Sequence, residues 1–276
     1  SCNGTISPYQ IFKEYVILQE IRKYHLHQLE ILREFRKFCD QFHLRYYLTA
    51  GTLLGAVRHQ GFIPWDDDID IAMPRRDYNM LQKLAGKIPA GYFLQCAQTE
   101  PNFPYYFSKM RKDHTTVSEP ILETIPMHQG VYIDIFPLDY CPDNDKIAMY
   151  FFKAIELFGT AILSRISQDF TCGYEKVYMR LLEMVLSKFP NMTLHFLREQ
   201  TRRIFSLFSS GKRLCTVGGH HGFPRESYCA EWFRNTVFIQ FEEEDYPVPA
   251  GWMEILKNMY GDYMTPPEEN QRRGHF

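Results

Sequence analysis

The stretch Tyr46–Tyr78 reads YYLTAGTLLGAVRHQGFIPWDDDIDIAMPRRDY and crowds four aspartates, Asp66, Asp67, Asp68 and Asp70, into five positions. Side chains two apart on a strand share a face, so an extended Asp68–Ile71 projects Asp68 and Asp70 together and buries Ile69 and Ile71. Adjacent carboxylates repel unless a cation sits between them. A solvated acidic loop would need neither Trp65 before the run nor isoleucines within it. An EF-hand loop opening at Asp66 would need glycine at its sixth position, where Ile71 stands. The all-oxygen set suits Mg²⁺ or Mn²⁺. Upstream, Tyr46–Leu48 reads as a short strand, Ala50-Gly51-Thr52 as a turn, and Leu53–Arg58 as the first turns of a helix. Glycine followed by a hydroxyl residue at a helix start presents backbone N–H groups to a phosphate. A phosphate seat followed by paired aspartates is equipment for phosphoryl or nucleotidyl transfer.

Working outward, Arg75–Leu84 reads as a helix and Tyr92–Gln95 as a strand. Phe107–Arg111 and Thr115–Val117 read as a hairpin of short strands. Lys109 and Arg111, two apart, share a face that suits either a diphosphate or plain solvent. Val131–Asp139 (VYIDIFPLD) alternates, with Ile133 and Ile135 inward and Asp134 opposite. A carboxylate centred in an apolar strand is costly without a metal or cationic partner. Asp139, at the strand exit, reads as outer support for the same site.

The segment GTLLGAVRHQGFIPWDDDIDI (51–71) resembles the signature of the LicD family, a nucleotidyltransferase branch with a polymerase-β-like core. The Lys109-x-Arg111…Thr115-Thr116 spacing and the tail from Tyr-Gly-Asp-Tyr-Met (260–264) to Pro266-Pro267 resemble it too. The resemblance covers both ends of the chain and fades in the middle. It implies an α/β (α+β) fold, a small mixed sheet bearing the acids and a mostly helical insertion. Gly51-Thr52 matches the family's Gly-Ser/Thr turn, Asp68 and Asp70 its aspartate pair, and Asp134 its third carboxylate. Asp68, Asp70 and Asp134 are therefore the candidate catalytic and metal-ligating residues, with Mg²⁺ or Mn²⁺ as cofactor. LicD-like enzymes take CDP-choline and transfer phosphocholine to a hydroxyl of a teichoic acid or lipopolysaccharide type glycan precursor, releasing CMP. In that reading Arg58, Lys109 and Arg111 clamp phosphates. Trp65, Tyr105, Tyr132 and Phe136 are candidates, on position alone, for the aromatic cage a quaternary ammonium needs. Donors carrying ethanolamine, ribitol phosphate or a sugar phosphate stay open. A glycosyltransferase using Asp-x-Asp is disfavoured, because only one helix and one short strand precede the motif.

The bulk properties bound these readings. Net charge is −2 over 276 residues, so no basic field attracts nucleic acid. Seven cysteines without a C-x-x-C pair argue for a reducing compartment and against a disulfide framework or zinc ribbon. Gly218-Gly219-His220-His221-Gly222 pairs two histidines, with no further ligand at zinc spacing. After a leader of residues 1–8, Gln10–Phe42 repeats apolar residues at helical spacing, with Arg22, Lys23, Arg33, Arg36 and Lys37 mainly on the other faces. Residues 1–45 are thus expected as a helix packed on the core, residues 46–142 as the catalytic core and 143–210 as a helical insertion. Residues 211–276 are expected to complete core and substrate site. The insertion holds helices over Lys146–Ile166, Tyr174–Lys188 and Leu194–Phe208. The last segment holds irregular chain over Gly211–Trp232, a strand over Phe241–Pro249 and a helix over Gly251–Tyr260. Lys153 and Glu156 oppose a spanning role for the first insertion helix, and no charged segment followed by an apolar run opens the chain. The expected location is cytoplasmic, at the inner membrane face where a lipid-linked glycan is met. The N-terminal helix or Lys146–Ile166 would give peripheral membrane contact; burial in the core or a homodimer is the competing use of the apolar stripe.

Overall fold

The computed structural model describes residues 8–167, 177–268 and 272, with side chains from Gln19 onward. The leader up to residue 7, residues 174–176 of the expected insertion helix, and Cys2 and Cys172 lie outside the described residues. The fold is mixed α/β, with seven α-helices among the described residues.

Helix α1 (Pro8–Phe42) runs without an internal glycine or proline, and Pro8 at its first position costs no hydrogen bond. It ends where His43 turns left-handed (φ 54°) and Leu44 N–H returns to the Cys39 carbonyl at 2.9 Å. Leu29, Leu32, Phe35 and Cys39 are buried as their spacing predicts. The bases opposite them are not spread over a free surface. Arg22 pairs with Glu242 at 2.7 Å, Arg33 with Glu244 at 2.8 Å, and Arg36 with Glu244 at 3.0 Å. That acidic turn joins β8 (Thr236–Phe241) to β9 (Glu244–Pro249). Described from Gln19 on, α1 therefore gives its stripe to the core and three bases to the hairpin, which leaves little of it for a membrane.

The main sheet runs β1 (Tyr47–Leu48), β2 (Asp70–Pro74), β5 (Tyr132–Tyr140), β4 (Ser108–Lys112), β3 (Tyr92–Gln95). Only β2 and β5 are parallel; the other neighbours are antiparallel. Alternation works as expected on β5: Ile133 and Ile135 are fully buried against Met110 and α1, leaving Asp134 on the other face. Helices α2 (Ala50–His59), α3 (Arg75–Lys83) and α7 (Trp252–Tyr260) pack around the sheet.

Several expectations are corrected. Ala50-Gly51-Thr52 is the first turn of α2 rather than a preceding turn. Thr115–Val117 is not a strand, because β4 already has β3 and β5 as partners; Thr115 instead accepts the Val131 N–H and donates to the Lys112 carbonyl. The segment Gly211–Trp232 is not irregular. It contains β6 (Arg213–Thr216) and β7 (Ser227–Cys229), which extend the sheet from the second half of β5. Asp139 does not support the acidic site: at the far end of β5 it binds Arg75 at 2.6 Å and the Tyr106 hydroxyl at 2.8 Å, fixing α3.

The middle of the chain is helical as read, in α4 (Asp145–Ile166), α5 (Val177–Leu186) and α6 (Asn191–Ser206). Asn144 caps α4 by accepting the Lys146 and Ile147 N–H groups. By length and composition α4 could cross a membrane, but half of its most apolar window is buried by the chain itself, against α5 and α6. Among the described residues Cys39, Cys96, Cys141, Cys215 and Cys229 are free thiols.

Candidate active site

Strand pairing sets three charges abreast. Asp70 on β2 is in register with Asp134 on β5, which is in register with Lys109 on β4. Register partners share a face, so these side chains line the floor of one cleft of about 750 Å³. Asp68 sits in the loop before β2, not on the strand, so the shared-face argument for Asp68 and Asp70 does not apply as read; both still line the cleft. The Thr52 hydroxyl accepts the Asp70 N–H at 2.8 Å and ties α2 to the start of β2. Gly51 lines the cleft with Asp66 close over it: a Cβ there would lie 2.4 Å from Asp66 Oδ2, so the aspartate would have to turn away. The helix start expected to seat a phosphate thus faces the cleft beside a carboxylate.

The acidic loop is held from behind by α1. The His25 ring bonds the Asp66 carbonyl at 2.7 Å, and Gln28 Nε2 donates to the carbonyls of Asp67 (3.0 Å) and Tyr132 (3.2 Å). Among the described residues the one group of three His, Cys, Asp or Glu side chains whose ligand atoms converge, within 4.8 Å, is Asp66, Asp67 and Asp68. Of the three ligands suggested by the sequence, only Asp68 belongs to it. Asp70 and Asp134 stand alongside. Burial, then the carboxylates of Asp68 and Asp134, push the Asp70 acid well above its ordinary range. Asp134 Oδ1 lies 3.2 Å from Lys109 Nζ, a charge contact that leaves this buried oxygen without a hydrogen bond. Burial raises the Asp134 acid, though Lys109 pulls it back. An all-oxygen set with destabilised carboxylates and an unbonded buried oxygen fits a hard divalent cation.

Lys109 is almost fully buried and bridges Asp134 and Glu119, the latter at 3.1 Å. Its ammonium stands 3.2 Å from the Tyr132 ring centroid, 5.7 Å from Tyr105 and 5.8 Å from Phe107. Burial would raise the Glu119 acid, but Lys109 and Arg111 outweigh it and keep the carboxyl below its ordinary value. Arg111 does not line the cleft. Fully buried, it donates to Gln95, the Gly130 carbonyl and Glu119, and so stands behind Glu119. Arg58 does line the cleft and donates to the Tyr263 carbonyl at 2.9 Å, holding the chain after α7 across it. Of the aromatic candidates, Tyr105 and Tyr132 face Lys109, Trp65 faces Arg272 at 4.7 Å, and Phe136 packs tilted against Phe107 with ring centroids 4.5 Å apart.

The opposite wall comes from the 211–276 segment expected to complete the substrate site, though nothing in the sequence singles out Glu226 or Tyr228. His220, His221, Glu226, Tyr228 and Tyr260 come from the 218–222 loop, β7 and its approach, and α7. Glu226 Oε1 accepts the His221 N–H at 2.8 Å, and Oε2 is buried without a partner. Burial outweighs the amides and lifts its pKa from 4.5 to about 7. A carboxyl raised on folding binds its proton more tightly in the native state. It therefore costs nothing below its unfolded pKa and destabilises progressively as pH rises from there through the folded value. The shift corresponds to about 3 kcal/mol. Glu226→Gln is expected to melt like wild type near pH ~5 and above it near pH ~8; thermal melts across that range that keep the two proteins parallel would contradict this.

The mixed sheet thus sets two carboxylates beside a buried ammonium at the floor of a cleft. Residues 43–153 match the family described as LicD/FKTN/FKRP, nucleotidyltransferase domain. The lipopolysaccharide cholinephosphotransferase LicD of Haemophilus influenzae is 31% identical over 266 residues, 93% of this chain and 96% of that protein. The human ribitol 5-phosphate transferase FKRP is 44% identical over 43 residues, 16% of this chain and 9% of that protein. The chain belongs to the LicD family, and it is a phosphotransferase.

Proposed function

We propose that the protein transfers phosphocholine from CDP-choline to a hydroxyl of a cell-surface glycan precursor, of lipopolysaccharide or teichoic acid type, on a polymerase-β-like core. The observation that carries this is the 31% identity with a cholinephosphotransferase along nearly the whole of both chains, over a cleft with an acidic floor. Mg²⁺ or Mn²⁺, held by the Asp66–Asp68 carboxylates together with Asp70, would neutralise charge on the donor diphosphate. Asp134, whose Oδ1 is buried and lacks a hydrogen bond, takes the proton of the acceptor hydroxyl. Lys109 and Arg58 add positive charge on either side of the diphosphate. Arg111 acts only through Glu119, which it holds in place. Tyr105 and Tyr132 line the cleft and are the aromatic candidates for the trimethylammonium group of choline, on whatever ring surface Lys109 leaves open. The free thiols and the cytosolic origin of CDP-activated donors support work in the cytoplasm, with the acceptor on a lipid carrier at the inner membrane face.

The test is CMP release from CDP-choline by purified protein in Mg²⁺, with the group transferred to acceptor glycan identified by mass. Loss of turnover in chelator and its return with Mg²⁺ or Mn²⁺ are expected. CMP release from CDP-ethanolamine or CDP-ribitol instead would move the donor assignment, and sugar transfer from a nucleotide sugar would overturn it. The FKRP match is the observation that keeps ribitol phosphate as the second donor.

A further inference from the structure

Helix α5 is folded inside out. Its one carboxylate, Glu183, is 8% exposed, while Val177 is 71%, Leu181 53% and Val185 50% exposed. At 100° per residue Val177, Tyr178, Leu181, Leu182, Met184 and Val185 fill one continuous arc. Exposed apolar side chains continue through Phe189 into α6, where Met192 and Phe196 share a face, and to Leu207 just past its end. Aliphatic and aromatic side chains of this size do not cluster on solvent-facing helices of monomers without a partner to cover them.

Charge identifies what covers it. Arg180 and Lys188 are exposed around the patch, in a chain whose net charge is −2. From 177 to 208 five lysines and arginines stand against two acids: Glu183, which is buried, and Glu199, which pairs with Arg202 and Arg203. Two copies meeting through this face would set one net-positive surface against another. A surface that is apolar below and anionic at its boundary satisfies both features.

We propose that the α5–α6 face is a membrane-docking surface. It lies flat on an anionic phospholipid bilayer, with the α5 arc below the headgroups and Arg180 and Lys188 at their level. This differs from the contact expected of α1 or α4, since α1 gives its bases to the 242–244 turn and α4 is half covered by α5 and α6.

The experiment is co-sedimentation of the full chain with phosphatidylcholine vesicles and with vesicles containing phosphatidylglycerol, at low and high salt. Binding is expected to the anionic vesicles at low salt, weakened several-fold by salt. Leu181→Glu/Val185→Glu is expected to lower it by about tenfold or more while leaving the thermal melt intact, because both positions are exposed. A Val185→Trp variant gives a second reading. Against the wild-type background it should add an emission that shifts to the blue with vesicles and that brominated lipid quenches. No pelleting at low salt, equal pelleting of the double variant, or no vesicle-dependent change in the added emission of Val185→Trp each overturns the proposal. A dimer in light scattering that the double variant dissociates, with no vesicle binding, would assign the face to a second copy.

Discussion

Asp70→Asn is expected to lose turnover by roughly a thousandfold, since removing charge stabilisation at a transferred phosphate is worth several kcal/mol. The same substitution should leave the protein as stable as wild type or more so at neutral pH. Burial and the neighbouring carboxylates of Asp68 and Asp134 already push the Asp70 acid far up. A carboxyl raised on folding costs stability once pH passes its unfolded value, and asparagine removes that cost. Asp68→Asn should show the same kinetic loss. Falling activity with a steady or rising melting temperature separates a chemical role from a structural one. If both variants keep activity within about tenfold of wild type, the acids are not the catalytic floor.

Lys109→Met should act through the fold as well as through the lost charge at the diphosphate. The lysine is buried between Glu119 and Asp134, at 3.1 and 3.2 Å, and methionine would fill its space without its charge. Removing one member of a buried ionic cluster leaves the others unpaired, which costs about 3–5 kcal/mol. In a chain of this size that lowers the melting temperature by on the order of 10 °C. Adding Asp134→Asn should recover part of the loss by removing the stranded charge, since Glu119 keeps Arg111 as its partner. A drop of less than about 1 kcal/mol in the single variant would mean that water reaches the pair and screens it.

What the sequence disclosed and what it hid divide along a physical line. Strand period exposed Asp134 opposite Ile133 and Ile135, and helical period exposed the buried face of α1, because both patterns are local. Lys109 and Arg111 share a strand parity, yet one lines the cleft and the other is sealed behind Glu119. That difference depends on Gln95 and Gly130, more than ten residues away, and no spacing rule carries it. Glu226 and the β6–β7 pair were missed for the same reason: their meaning comes from docking on the end of β5, far off in sequence. Thr115–Val117 failed as a strand because β-propensity cannot know that both edges of β4 are taken. His25 and Gln28 carried no signal in the sequence; that they hold the carbonyls of the acidic loop follows only from the docking of α1.

The ion pairs between α1 and the β8–β9 turn also set an order of events. Arg22 and Glu242 are 220 residues apart, and Arg33 and Glu244 are 211 apart. During synthesis α1 emerges more than two hundred residues before the turn that its basic side meets. Contacts of such long range are formed late and slow the search. Until then the stripe of Leu29, Leu32 and Phe35 has no finished core to enter, and the aspartate floor has no far wall. Over that interval the nascent chain is open to self-association through α1, and a holdase that covers an amphipathic helix would protect it.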